Sequence, residues 1–372
     1  MISINAPQVG EEEIEAVVKV LKSGILTNAL GEGPVVKRFE EEFAKFVGVK
    51  HALAVNSGTA ALHMAVSSVG VNPGDEVILP SFTFVATAEA VVLAGAKPVF
   101  VDIDPVTYNI SPERIREAVS RKTKAIIAVD LYGLPAPLKP IKEIAEEYGL
   151  AVIEDAAQAH GALYEGKPVG AYADVACWSF YASKNMTTGE GGMLTTDNDE
   201  IAEKLRLLRC HGEKEKYHSV ILGHNYRMPE IQAAIGLVQL AKLPKFLARR
   251  RENAGRLTEL LSCGKEDLQL PIEPENCRSS WYLYTVRLKG ANAAKRNAVV
   301  EKLRSKMVGA EVYYPRPIHL MPYYKQFGKF RLPETEAASS QVFSLPIHPG
   351  VTPEQVDFIG RVVLETIRRS ST

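Results

Sequence analysis

The chain has 372 residues, of which 46% are hydrophobic, so it is long enough to bury a large core in two or three domains. Lys plus Arg (44) equals Asp plus Glu (44), which argues against a surface for nucleic acid or another polyanion. The N-terminus lacks the order of a signal peptide, the apolar runs are too short to cross a bilayer, and the four cysteines show no CxxC spacing. We therefore expect a cytoplasmic protein with reduced thiols and no metal site.

Two amphipathic helices are predicted at the start of the chain, over residues 11–22 and 35–47, from apolar residues at helical spacing. The loop between them, SGILTNALGEGP, contains Gly31-x-Gly33. This pair lacks the third glycine and the preceding strand of a dinucleotide fingerprint. We therefore interpret it as a loop only.

From residue 52 to about residue 200, short apolar runs alternate with helix-like stretches. The predicted strands are 52–55, 76–79, 98–102, 125–129, 151–154, 175–180 and 192–196. The predicted helices are 59–69, 87–94, 112–119, 138–148 and 199–208. This alternation is typical of βαβ units, and it predicts an α/β fold with a mostly parallel sheet between helices.

A long helix from residue 229 to about 260 is predicted to lead into a C-terminal part. That part contains a predicted strand at 282–288 and predicted helices at 293–306 and 353–369. We therefore expect a large domain over residues 1–245 and a smaller α/β domain over residues 246–372.

Ligands of open parallel sheets bind where the strands end, and the chain places polar residues at several such ends. Ser57-Gly58-Thr59 follows the first predicted strand and opens a helix. The free amides of a first helical turn and the Thr59 hydroxyl suit a phosphate monoester. Simple N-capping explains the same residues equally well.

Asp155 directly follows an apolar strand, where a carboxylate needs a cationic partner such as a protonated pyridine nitrogen. Gln158 would share a helical face with Asp155 if the segment turns helical, and it could donate to a phenolic oxygen. The alternative is that Asp155 only caps a following helix.

Lys184 lies in a segment rich in small, aromatic and glycine residues, with no carboxylate within five positions on either side. Desolvation favours the neutral amine, which is a nucleophile toward aldehydes. The Ser179 hydroxyl could reach the same phosphate, and Phe84 could cover a flat ring. The alternatives are a surface lysine, an ordinary strand hydroxyl and a core aromatic. Together with Asp155 and Gly58, these residues supply what one flat, phosphorylated aldehyde needs.

Seven segments resemble the nucleotide-sugar aminotransferases, the DegT/DnrJ group of fold-type-I pyridoxal-phosphate enzymes. They are NSGTAALH (56–63), PSFTFVATAEA (80–90), FVDID (100–104), EDAAQAHGA (154–162), SFYASKNMTTGEGG (179–192), HNYRMPEIQAAIGLVQL (224–240) and YYPRPIHLMPYY (313–324). The resemblance runs over nearly the whole chain. It implies the fold-type-I architecture, with a seven-stranded sheet in a large domain and a smaller C-terminal α/β domain.

The resemblance implies a role for each matching residue. Pyridoxal 5'-phosphate is joined to Lys184 as an imine, with Asp155 at the pyridine nitrogen and Gln158 at the ring oxygen. The other implied cofactor contacts are Gly58, Thr59 and Ser179 at the phosphate, Phe84 on the ring, and Asn225 reaching the phosphate from the other subunit of a homodimer. Tyr314 and His319 fall in a stretch that helps to line the sugar pocket, and His160 has no assigned role.

The implied reaction is a ping-pong transfer of an amino group from L-glutamate to a nucleotide-linked keto-sugar, through pyridoxamine phosphate. A related dehydrating branch has histidine in place of the lysine, so the presence of Lys184 disfavours it. The loop over residues 23–34 looks longer than in the family and borders the substrate mouth. Two alternatives stay open: an aminotransferase for a cyclitol or other ring ketone, and a cofactor-binding regulator without turnover.

Overall fold

The computed structural model describes residues 1–368, which form a mixed α/β structure. The helices are α1 (Glu11–Ser23), α2 (Pro34–Val47), α3 (Gly58–Ser68), α4 (Ala86–Leu93), α5 (Pro112–Ala118), α6 (Leu138–Tyr148), α7 (Asp199–Arg209), α8 (Glu230–Leu261), α9 (Ala293–Ser305), α10 (Pro333–Gln341) and α11 (Pro353–Arg368). The strands are β1 (His51–Val55), β2 (Glu76–Pro80), β3 (Lys97–Val101), β4 (Thr123–Val129), β5 (Ala151–Asp155), β6 (Leu163–Tyr164), β7 (Lys167–Pro168), β8 (Val175–Ser179), β9 (Gly192–Thr196), β10 (Glu213–Glu215), β11 (His218–Ser219), β12 (Leu268–Gln269), β13 (Cys277–Arg278), β14 (Tyr284–Leu288) and β15 (Val342–Leu345).

Seven strands form the large sheet, in the order β1-β9-β8-β5-β4-β2-β3. Strands β3, β2, β4, β5 and β8 are parallel, and β9 is antiparallel to both β8 and β1. The predicted mostly parallel seven-stranded sheet is therefore confirmed. Six strands end at the same edge, so the residues that follow β1, β5 and β8 meet there.

Helices cover both faces of this sheet. Helices α3, α4 and α7 pack on one face, and α2, α5, α6 and the first part of α8 pack on the other. Burial on both faces explains why the strands are continuous apolar runs, without the alternation of a half-exposed strand.

A second core lies in the C-terminal part of the chain. The antiparallel strands β12, β14 and β15 pack with α9, α11 and the second half of α8. The start of the chain joins this region, because the Ile2 N–H donates to the Met307 carbonyl (2.8 Å) and the Ile2 carbonyl accepts from the Gly309 N–H (2.8 Å). The predicted boundary between residues 245 and 246 lies inside α8, and the domain limits stay a prediction.

The predicted and observed elements differ mainly at their ends. The strand predicted over 282–288 begins at Tyr284, and residues 156–162 after β5 form turns instead of the helix considered there. The short strands β6, β7, β10, β11, β12 and β13, together with α10 and β15, were not predicted, since most are too short to show a period. Arg369, where the last predicted helix ends, lies outside the described residues.

Helix α8 and the turn after it (Glu230–Gly264) form the one stretch within residues 1–368 that is long and apolar enough to span a membrane. The helix packs against α1, α2 and α11. The core helix of a globular protein has the same length and composition, so this stretch is weak support for a membrane span.

Candidate active site

A cavity of about 600 Å³ opens at the edge of the large sheet where the parallel strands end. Eight residues singled out in the sequence line it: Gly58, Thr59, Phe84, Asp155, Gln158, Ser179, Lys184 and Tyr314. They come from five separate parts of the chain, which the parallel sheet brings to one edge. Asn225 and His319 do not line this cavity.

The start of α3 forms one end of the cavity. Ser57 caps the helix, because its side-chain oxygen accepts from the Ala60 N–H (3.1 Å) and its carbonyl accepts from the Ala61 N–H (3.1 Å). Within the described part of the chain, the N–H groups of Gly58 and Thr59 have no partner. Ser57 therefore caps the helix, and the N–H groups of Gly58 and Thr59 are left to bind an anion. Capping and anion binding are compatible here.

Gly58 lies against the end of β8. A Cβ atom built on Gly58 would lie 2.8 Å from the Cβ atom of Ser179 and 3.1 Å from its Oγ atom. Only glycine allows this close approach. The approach puts the Ser179 hydroxyl beside the free amides of α3.

Asp155 is the last residue of β5 and is 5% exposed. Its Oδ2 atom accepts from the Thr87 hydroxyl (2.8 Å), and its Oδ1 atom accepts from the Ala157 N–H (3.3 Å). Burial raises the pKa of Asp155, and the Thr87 hydrogen bond and the Lys184 charge oppose that rise. Because the segment after β5 is not helical, Asp155 does not cap a helix.

Both ends of the Gln158 side-chain amide are fixed by hydrogen bonds. The Oε1 atom accepts from the Tyr132 N–H (2.8 Å), and the Nε2 atom donates to the Tyr314 hydroxyl (3.2 Å). Since a backbone N–H can only donate, this network assigns the amide orientation. The NH₂ group lies on the cavity side and donates to the Tyr314 hydroxyl, and the predicted contact of Gln158 with a cofactor ring oxygen stays a prediction.

Lys184 lies on a turn after β8 and is half-buried. Its Nζ atom is 4.8 Å from the centroid of the Tyr282 ring, which packs beneath it. The turn is held by the Lys184 N–H, which donates to the Tyr181 carbonyl (2.9 Å), and by the buried Asn185 amide, which donates to the Ser280 carbonyl (3.1 Å). Lys184 therefore points into the cavity and is not a free surface lysine.

Phe84 is an exposed aromatic residue on the cavity wall. It is 55% exposed, and its ring centroid lies 6.2 Å from that of Tyr314. The core alternative for Phe84 is therefore wrong. An exposed ring face at this place can cover a flat ligand.

Asn225 and His319 have other surroundings. The Asn225 carbonyl accepts from the Asn56 side-chain amide (3.3 Å), and its predicted contact with a cofactor phosphate stays a prediction. His319 is buried, with its Nδ1 atom 2.7 Å from the Ser81 hydroxyl and its Nε2 atom 3.4 Å from Glu336. His319 is therefore held by one buried and one exposed partner outside this cavity, and its predicted place in the sugar pocket stays a prediction.

Sequence reasoning missed several residues of the cavity wall: Thr83, Thr87, Tyr181, Ser183, Glu190, Tyr282 and Tyr313. Thr87 had a usable signal, because it lies three positions after Phe84 at the start of a predicted helix. Tyr313 also had one, since it adjoins Tyr314 in the segment 313–324. Tyr282 had none, because it reaches the cavity from the C-terminal part by tertiary packing.

A model of the DegT/DnrJ/EryC1/StrS aminotransferase family matches residues 7–364 of the chain. The chain is 42% identical over 356 residues to a pleiotropic regulatory protein of Geobacillus stearothermophilus, with 95% of this chain and 94% of the relative covered. It is 39% identical over 358 residues to a GDP-perosamine synthase of Caulobacter vibrioides, with 96% and 95% covered.

Solved structures show the same architecture. DesV of S. venezuelae, in complex with a ketimine intermediate, has a TM-score of 0.91 at 37% identity, with 96% of this chain and 95% of DesV covered. The PLP form of Spr1654 from Streptococcus pneumoniae has a TM-score of 0.93 at 29% identity, with 100% of both chains covered. The same protein is also solved in a PMP form.

Proposed function

Because the chain belongs to the DegT/DnrJ/EryC1/StrS aminotransferase family, we propose that it moves an amino group from L-glutamate to the keto group of a nucleotide-linked sugar. The chain is an aminotransferase that uses pyridoxal phosphate, with the fold-type-I architecture of its relatives. The donor, the acceptor and the residue roles belong to the proposal. The observation that carries them is the cavity shared by Lys184, Asp155 and the first turn of α3.

The residues of this cavity fit the cofactor. The N–H groups of Gly58 and Thr59, which have no partner among residues 1–368, suit the phosphate. Because Gly58 has no Cβ atom, Ser179 packs closely against it and places its hydroxyl beside these N–H groups. Among residues 1–368, no cation is in hydrogen-bond contact with the buried Asp155 carboxylate, as a site for a pyridinium nitrogen requires. Phe84 offers the ring face.

When bound, pyridoxal phosphate supplies an electron sink that acidifies the α-carbon of an amino acid. Asp155 holds a proton at the pyridine nitrogen, and Gln158 donates to the phenolic oxygen. Lys184 anchors the cofactor covalently. Once an amino donor had displaced it, the Lys184 amine would take a proton from the donor's α-carbon and release it to the cofactor carbon that had carried the imine. In the second half-reaction it would move a proton the other way, from that carbon to the former keto carbon of the acceptor.

The wall that faces Lys184 is aromatic and rich in hydroxyl groups. It is formed by Tyr181, Ser183, Tyr282, Tyr313 and Tyr314. Such a lining can stack on the C–H face of a sugar and exchange hydrogen bonds with its hydroxyls. This wall, together with the relative named GDP-perosamine synthase, supports a nucleotide-linked sugar as the acceptor.

We also propose a homodimer in which Asn225 completes the phosphate site of the partner subunit. The connection before Asn225 carries exposed apolar side chains, with Tyr217 86% exposed and Leu222 85% exposed. Exposed apolar groups of this size are typical of interaction surfaces. Mixing Lys184→Ala with Asn225→Ala subunits tests this arrangement, because a shared site predicts that hybrid dimers regain activity that neither variant has alone.

A regulator without turnover was the other functional class considered from the sequence. The regulatory name in Geobacillus stearothermophilus belongs to that relative. The family is one of aminotransferases, and Lys184, Asp155 and Gln158 line one cavity here. We therefore set this alternative aside.

An acceptor panel tests the proposed substrate. L-Glutamate is first added until the visible absorption band of the cofactor imine disappears. The protein is then mixed with nucleotide-linked keto-sugars or with inosose, and the return of the imine band is followed. We expect glutamate to convert the band and a nucleotide keto-sugar to restore it. Restoration by inosose alone would favour a cyclitol aminotransferase, and no conversion by glutamate would reject the proposed donor.

A further inference from the structure

Asp155 is a buried carboxylate whose charge needs support. Its two oxygens accept from the Thr87 hydroxyl (2.8 Å) and from the Ala157 N–H (3.3 Å), so the shorter of its two hydrogen bonds comes from Thr87. Burial alone favours the neutral carboxylic acid and so raises the pKa of Asp155. A neutral acid could not hold a proton at a pyridine nitrogen.

Thr87 lies in the first turn of α4 and is 0% exposed. The Thr87 hydroxyl donates to Asp155, across the cavity edge and 68 positions along the chain. This buried hydrogen bond joins the start of α4 to the end of β5.

The direction of the neighbouring hydrogen bond follows from the charge on Asp155. An ionised carboxylate can only accept, so Thr87 must be the donor to it. The Thr87 oxygen is then free to accept from the Thr83 hydroxyl, which lies 3.2 Å away and is itself buried. Thr83, Thr87 and Asp155 thus form a directed chain in which each bond strengthens the next.

The segment just before α4 carries the aromatic cover of the cavity. Phe84 precedes Thr87 by three positions, its carbonyl accepts from the Thr87 N–H (3.2 Å), and both residues line the cavity. One short turn of backbone therefore joins the ring that covers the cavity to the donor to Asp155.

We propose that Thr87 is the positioning residue that keeps Asp155 ionised and oriented toward the pyridine nitrogen, with Thr83 supporting it. This inference rests on the role proposed above for Asp155. It assigns a function to a residue that makes no contact with the reacting atoms.

The test compares Thr87→Val, which keeps the shape and removes the hydroxyl, with Thr87→Ser, which keeps the hydroxyl. The dissociation constant of pyridoxal phosphate is measured by equilibrium dialysis between about pH 5 and pH 8. We expect Thr87→Val to weaken cofactor binding about tenfold to a hundredfold near neutral pH. We also expect the acid limb, the pH at which cofactor affinity falls off on the acidic side, to move upward by about 1 to 2 pH units. Thr87→Ser should restore both.

Thr123→Val is the matched control. Thr123 is also a buried threonine, but it begins β4 at the opposite end of the strand from the cavity. A purely structural cost of losing a buried hydroxyl would lower stability in both variants and leave the acid limb in place. If Thr87→Val does not fold, Thr83→Val should shift the limb in the same direction by less.

Two results would overturn the inference, and they are distinguishable. If Asp155→Asn moves the acid limb while Thr87→Val and Thr83→Val match Thr123→Val, the role of Thr87 is refuted and that of Asp155 stands. If Asp155→Asn also binds the cofactor with an unchanged pH profile, the proposed role of Asp155 fails, and the inference fails with it.

Discussion

The Nζ atom of Lys184 lies 4.8 Å from the centroid of the Tyr282 ring, whose hydroxyl is 2.9 Å from the Ser183 hydroxyl. The Tyr282 carbonyl in turn accepts from the buried Arg250 guanidinium (3.0 Å). The ring is therefore held in place from both sides beneath the amine. A cation over an aromatic face is stabilised by the ring quadrupole.

Tyr282→Leu should slow the half-reaction with the amino donor by about fivefold to thirtyfold, because the ammonium that forms as the Lys184 amine takes a proton loses a cation–π contact of about 1 to 2 kcal/mol. Stopped-flow absorption measures this rate. Tyr282→Phe keeps the ring and loses only the bond to Ser183, so it should stay close to the wild-type rate. An equal loss in both variants would show that the hydroxyl matters and the ring face does not.

Lys184→Ala should abolish transamination while the protein still binds pyridoxal phosphate without a covalent bond. Borohydride reduction followed by peptide mass mapping locates the covalent attachment in the wild-type protein. We expect the labelled peptide to contain Lys184, because this amine lines the cavity with Asp155. An adduct on another lysine, or turnover by the alanine variant, would contradict the assignment.

Gly58→Ala should weaken cofactor binding and lower stability. The added Cβ atom would lie 2.8 Å from the Ser179 Cβ atom, and overpacking of this kind costs about 1 to 3 kcal/mol. Gly255→Ala is the control, since a Cβ atom built there meets nothing within 4 Å. Replacing this helix-interior glycine should stabilise the fold by about 0.5 to 1 kcal/mol. Thermal melts and cofactor titrations measure both variants. Normal cofactor affinity in Gly58→Ala would argue against a phosphate at this turn.

Glu154→Gln should change how stability depends on pH. Burial raises the pKa of Glu154 from 4.5 to about 7. Burial also raises the pKa of the neighbouring Asp130 carboxyl. A carboxyl whose folded pKa is raised stabilises the fold below the unfolded pKa, and this contribution is lost as the pH rises through the folded pKa. The wild-type protein should therefore lose up to about 3 kcal/mol between pH 4.5 and 7 from this group.

Urea denaturation across this pH range measures the loss at Glu154. The glutamine variant keeps an oxygen that accepts from the Gly170 N–H (2.8 Å in the wild-type protein), and it adds a donor for Asp130. Because glutamine cannot titrate, the dependence of its stability on pH should be flatter. Glu301→Gln, at an exposed position of α9, is the control and should follow the wild-type curve. Parallel curves for Glu154→Gln and wild type would contradict a protonated Glu154.

Much of the site could be predicted because its residues lie at strand ends. Asp155 and Gly58 stand directly after or near the end of apolar runs, and a parallel sheet brings such positions together whatever the loops do. Lys184 was found from its carboxylate-free, glycine-rich surroundings. Local sequence therefore predicted several residues that the structure brings to one cavity.

Other features depend on contacts that no local pattern encodes. His319 lies in a segment that resembles the family's sugar pocket, yet its buried ring contacts the buried Ser81 hydroxyl and the exposed Glu336 carboxylate and does not line the cavity. The turn at residues 156–162 was considered as a helix, but the backbone forms turns. Packing across distant segments decided both outcomes.

The sequence by itself predicted the parallel sheet, because apolar periodicity and strand-end chemistry are properties of short stretches. The resemblance of its segments to a known family predicted the cofactor and led to Lys184 as the proposed reacting lysine. Only the tertiary structure decided that Thr87 donates to Asp155, that the Gln158 amide points its nitrogen into the cavity, and that Tyr282 lies beneath Lys184. These relations join residues 26 to 98 positions apart. A hydrogen bond or ring contact over such a separation depends on the final position of whole elements.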